Sequence, residues 1–109
     1  MPRVFVIQET LKHNLLPAQA FGDLVFLLPP QVQITFSPGP IVVRMERHLQ
    51  GFTEDDYLLL IGDPAAMAVA GALVAKHNNG RFKLLKWDKR EMKYYPIQVD
   101  TNKGERDEY

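Results

Sequence analysis

A chain of 109 residues, 46% hydrophobic and 24% charged, has the size and composition of one small globular domain. It contains no cysteine, which excludes disulfides and cysteine-held zinc or iron–sulfur centres. Thirteen cations balance thirteen carboxylates, and a formal charge of zero argues against a dedicated nucleic-acid binder.

Val4-Phe5-Val6-Ile7 is a β-branched and aromatic run that predicts a strand over 3–8. Residues 10–22 read mostly as loop. Leu11, Leu15 and Leu16 suggest a helical turn, but Pro17 and Gly22 interrupt it. Asp23 to Leu28 is a second strand, stopped by Pro29-Pro30. Val32, Ile34 and Phe36 then alternate with polar neighbours, the period-two pattern of a half-exposed strand or extended arm. Ser37-Pro38-Gly39-Pro40 breaks the chain. Ile41 to Gln50 predicts a short amphipathic helix with Ile41, Val42, Met45 and Leu49 on one stripe, Pro40 in the first turn and Gly51 as the stop. The triplet Ile41-Val42-Val43 also fits a strand.

Tyr57 to Ile61 is apolar throughout, as in a central parallel strand covered on both faces. Gly62-Asp63-Pro64 follows, with Asp63 placed to cap a helix and Pro64 suited to its first position. Ala65 to Ala75 carries no polar side chain, so this helix is expected to be buried around most of its circumference, its alanines and Gly71 allowing close approach. Covering it needs the N-terminal arm or a second copy, which makes a homo-oligomer an expectation. Lys76 and His77 suit the negative end of the helix, and Asn78-Asn79-Gly80 supplies the stop. Arg81 to Trp87 and Lys93 to Val99 are strand-like and joined by Asp88-Lys89-Arg90-Glu91, a hairpin.

The fold class expected is α/β: a single domain over 1–100 with a mixed sheet, a central βαβ unit at 57–87 and a C-terminal antiparallel hairpin, followed by a flexible polar tail at 101–109. The opening MPRVFVIQE lacks the apolar run of a signal peptide, and the longest apolar stretch, 57–75, is split by the Gly62-Asp63-Pro64 turn into halves too short to span a bilayer. No membrane association and a cytoplasmic location are expected.

Catalytic and cofactor chemistry finds little purchase. The turn at Gly62-Asp63 sits where a strand meets a helix, a position that favours anions, and a small ligand or nucleotide bound there is one reading. Against it, no glycine-rich phosphate motif is present, Asp63 places a negative charge where a phosphate would sit, and Pro64 lacks a donor. Asp55-Asp56 reads as a solvated loop or a cap rather than a general acid–base pair. His13, His48 and His77 have no metal-ligand spacing, and Ser37, the one serine, has no nucleophile motif around it. The expectation is a protein with no catalytic residue, no metal and no cofactor.

The charge is unevenly spread. Residues 76–93 hold seven cations against two carboxylates, a net +5, just after an acidic block of Glu54, Asp55, Asp56 and Asp63. Within this segment Lys83, Lys86, Trp87, Lys89, Arg90, Lys93, Tyr94 and Tyr95 interleave cations with aromatics and form the candidate partner-binding site. Trp, Tyr and Arg are favoured anchors at protein interfaces, while cations with aromatic faces also suit nucleic acid. A protein partner is the first reading and nucleic acid the second. The plain alternative is that Trp87 and one tyrosine belong to the core and the lysines keep an edge strand soluble.

The run DYLLLIGDP, the alanine-rich helix after it, then NGRFKLLKWD and YYPI resemble a group of small bacteriophage proteins over Asp56 to about Val99. The resemblance implies a phage origin and a role in host takeover or virion biology. It brings no catalytic residue.

Overall fold

The computed structural model describes residues 2–102. The strands are β1 (Arg3–Gln8), β2 (Asp23–Leu28), β3 (Tyr57–Leu59), β4 (Arg81–Asp88) and β5 (Lys93–Asp100), with helices α1 (Pro38–Leu49) and α2 (Pro64–His77) and a 3-10 segment at Leu16–Phe21. They form one five-stranded sheet in the order β2-β1-β3-β4-β5. β2, β1, β3 and β4 are parallel, and β5 runs antiparallel to β4. The mixed α/β sheet, the β3–α2–β4 unit and the closing hairpin are therefore as expected from the sequence. The polar tail falls largely on residues 103–109, outside the described residues.

Both faces of the sheet are covered, by different connections. Phe5, Ile7, Leu58 and Phe82 pack under Ile41, Met45 and Leu49 of α1 and Ala66, Ala70, Leu73 and Val74 of α2. Val4, Val6, Leu59 and Leu85 point the other way, toward Ala18 of the 3-10 segment. Strand alternation alone produces this division, because successive side chains leave opposite faces. Right-handed crossovers require it too: the chain steps from β1 to β2 across one face, then returns past β1 to β3 and on to β4 across the other. Burying each large apolar side chain stabilises the fold by about 2 kcal/mol. The sheet has its switch point between β1 and β3, where the strand order reverses.

Several local expectations are corrected. Pro17 does not interrupt a helical turn; it occupies the opening of the 3-10 segment, where its missing donor is harmless. Residues 31–36 form a series of turns, not a strand or extended arm. Ile34 is 7% exposed and Phe36 79%, so the alternation does not mark one buried face. The backbone there is held by side chains: Gln8 Nε2 donates to the carbonyls of Pro29 (3.2 Å) and Val32 (2.6 Å), and the Ile34 N–H donates to Asp63 (3.3 Å). α1 begins at Pro38, one turn earlier than expected, with prolines taking first-turn positions that need no N–H. β3 ends at Leu59, although the Leu60 N–H still reaches the Leu85 carbonyl at 3.2 Å.

α2 is also less buried than its composition suggests. Only Ala66, Ala70, Leu73 and Val74 are buried, and Ala65, Ala68 and Ala72 face solvent. The helix is the outer layer over one face of the sheet, with α1 beside it, and the 29–37 segment meets its N-terminus through the Ile34 N–H and Asp63. Alanine is tolerated on that outer surface because it is the best helix former. A Cβ added at Gly71 would meet nothing within 4 Å, so this glycine serves no close approach. Gly71→Ala should therefore stabilise the protein by about 1 kcal/mol, read as a higher midpoint in urea with an unchanged slope.

Candidate functional site

The eight residues of the cation–aromatic segment lie on β4, β5 and the turn between them. Asp88 builds that turn: its Oδ1 accepts from the N–H groups of Arg90 (2.8 Å) and Glu91 (3.2 Å), and its carbonyl accepts from Met92. The register then pairs Asp88 with Lys93, Trp87 with Tyr94 and Lys86 with Tyr95. Directly paired residues share a face, so the candidates divide between two sides of the hairpin.

On the side away from the helices lie Lys83, Trp87 and Tyr94. The Trp87 and Tyr94 rings meet edge to face, centroids 4.9 Å apart, and Tyr94 is buried against Leu85 and Leu59. That burial raises the Tyr94 hydroxyl pKa above its ordinary value of 10.0. Lys83 sits farther along, its Nζ 4.5 Å from the centroid of the Tyr57 ring, in a hollow shared with Arg3, Asp55 and Asp56 at the opposite end of the strands. It does not join the others.

On the helix side lie Lys86 and Tyr95, followed by Leu84 with Ile97 and Phe82 with Val99. Phe82, Leu84 and Val99 belong to the core beneath the helices. Cover stops there, leaving Tyr95 38% and Ile97 39% exposed. A hollow of about 480 Å³ results, lined by Lys86, Trp87, Asp88, Lys89, Arg90, Tyr95 and Ile97. Lys93 stands over Tyr95, its Nζ 5.1 Å from the ring centroid. The structure thus brings together Lys86, Trp87, Lys89, Arg90, Lys93 and Tyr95, places Lys83 apart from them, and buries Tyr94 on the other face, against Trp87. Ile97 also belongs to this surface and was missed by the sequence reading. The alternation Tyr95-Pro96-Ile97 on an edge strand was the signal available for Ile97. Pro96 removes a backbone donor from β5, which limits sheet-to-sheet pairing along that edge.

The Gly62-Asp63 turn is engaged internally. Asp63 caps α2 as expected, its Oδ1 accepting from the Ala65 N–H at 2.9 Å, while its own N–H donates to Gln8 Oε1 at 2.8 Å. Pro64 has no donor to offer. The sequence reading did not single out Gln8, a polar residue closing an apolar strand and only 6% exposed. Asp56 is buried rather than solvated, and it accepts from the Arg3 and Thr53 N–H groups at 2.8 Å each. It is a loop anchor. His13, His48 and His77 are exposed, and no cluster of potential metal ligands occurs among the described residues. No helix among the described residues is long and apolar enough to cross a membrane.

No curated protein and no solved structure matches the chain significantly. The family profile described as Phage Pam3 gp32-like protein matches residues 2–101, every strand and helix of the sheet domain included. The chain therefore belongs to the phage Pam3 gp32-like family, a bacteriophage family as the sequence resemblance implied.

Proposed function

We propose that the chain is a non-enzymatic interaction protein, acting in the host cytoplasm, that binds a host or phage protein through the tip of the β4–β5 hairpin. One observation supports this most: Tyr95 and Ile97 extend beyond the cover of α2 in a hollow whose charged residues are Lys86, Lys89, Arg90 and Asp88, and Lys93 stands over Tyr95. None of those four cations forms an ion pair among the described residues. An apolar centre within a charged rim is the ordinary anatomy of a protein interface, and the rim selects an acidic partner surface. Nucleic acid is the weaker reading because stacking needs open aromatic faces. Tyr94 is in the core and Trp87 is half-buried against it, which leaves Tyr95 as the principal free ring of the three.

Charge reversal at the exposed Lys86, Lys89 and Arg90 tests the proposal. Tagged wild-type protein should enrich a specific partner from infected-cell lysate, and the triple Glu variant should lose it by roughly tenfold in affinity while unfolding at the same temperature. Equal capture by the variant would remove the hairpin. A salt-sensitive shift of single-stranded or duplex probes, lost in the same variant, would favour nucleic acid instead.

A further inference from the structure

A second crevice, also about 480 Å³, opens at the carboxyl ends of β3 and β4. Its position follows from the topology. The connection leaving β1 packs on one face of the sheet and the one leaving β3 on the other, and β1–β3 pairing ends at Val6 and Leu59. The two connections diverge at the switch point, which is where open α/β sheets form ligand crevices. His13, on the segment after β1, stands on one side; Ile61 and Met67 stand on the other, and Trp87 and Tyr94 close the crevice from the hairpin.

The chemistry of the walls narrows the occupant. Ile61, Met67 and the two aromatic rings favour a flat, apolar body. Lys86 and Lys89 also line the crevice, no carboxylate does, and neither lysine has an ion-pair partner among the described residues. The volume suits a molecule of roughly mononucleotide size. We propose that this crevice binds a small, flat organic anion, its ring against Trp87 and Met67 and its charge held by Lys86 and Lys89. The lysines, rather than the N-terminus of α2, hold the anion, because Asp63 and Gln8 already engage donors of that turn. The crevice shares Lys86, Trp87 and Lys89 with the hollow at Tyr95 and Ile97, but His13, Ile61 and Met67 line it alone, and binding there does not require a protein partner.

Trp87 is the chain's one tryptophan, so its fluorescence reports directly on the crevice. The purified protein is titrated with the four common nucleoside monophosphates and, separately, with benzoate and indole-3-acetate; nucleosides, benzyl alcohol and indole-3-acetamide are the neutral controls. At least one anion should give a saturable change with Kd at or below about 1 mM, and its neutral counterpart should bind roughly tenfold more weakly. The series that responds identifies the source of the anion. His13→Glu, at an exposed position, and Met67→Glu should each weaken binding roughly tenfold. Should Met67→Glu fail to fold, His13→Glu decides. No saturable response up to about 10 mM, an equal response to neutral controls, or binding unchanged by the folded variants would overturn the proposal.

Discussion

Gly62→Ala is expected to cost the fold about 4 kcal/mol, although it adds a single methyl group. Gly62 has φ +107°, which disfavours residues with a Cβ, and the added Cβ would collide with Gln8 Cβ while standing 2.7 Å from Gln8 Oε1. Gln8 cannot yield without loss. Its amide holds the Pro29 and Val32 carbonyls and the Asp63 N–H together, joining the end of β1, the 29–34 segment and the start of α2. Backbone strain of about 1–3 kcal/mol and the loss of buried hydrogen bonds therefore add. A small domain has about 5–15 kcal/mol in all, so urea unfolding should show a much lower midpoint. Gly71→Ala is the matched control, the same substitution with the opposite sign. A Gly62→Ala midpoint at or above wild type would show that the turn is not held in this conformation.

Asp56→Ala is expected to cost about 3 kcal/mol. The side chain is 3% exposed, and its two oxygens accept from the Arg3 and Thr53 N–H groups, the Thr53 hydroxyl at 3.1 Å and the Arg3 guanidinium at 3.4 Å. These contacts fasten the loop before β3 to the first residue of β1, a join across 53 positions of sequence. Alanine would leave both backbone donors without a partner, and asparagine, keeping one acceptor oxygen, should cost about half as much. Denaturant unfolding of the two variants checks the order. A loss below about 1 kcal/mol for alanine would mean that water replaces the carboxylate there.

The strands were legible because β1, β2, β4 and β5 are apolar or alternating runs bounded by prolines or turn residues. The start of α2 was legible because Asp63-Pro64 states a cap and a first position chemically. The 31–36 segment was not, because Gln8 and Asp63 determine its path from distant points in the chain and no local pattern encodes them. Within one chain α2 is less buried than its composition allows, for a different reason. An apolar composition marks what a helix can bury, whereas the number of layers outside it sets what it does bury. At the hairpin, period-two alternation puts Lys83 and Trp87 on one face and Lys86 on the other. Which face the helices leave open depends on how far α2 extends over β5, and that separates the core pair Trp87–Tyr94 from the exposed Tyr95 and Ile97.

The central claim, that the hairpin tip is the contact surface, is tested most directly by site-specific photocrosslinking in infected cells. A photoreactive residue replaces Tyr95 in one variant and Ala72, on the solvent side of α2, in another. Crosslinks to a distinct partner protein from position 95, weak or missing from position 72 and abolished by charge reversal at Lys86, Lys89 and Arg90, are the predicted result. Crosslinks from position 72 alone, to a second copy of the chain or to any other protein, or from both positions alike, would contradict it.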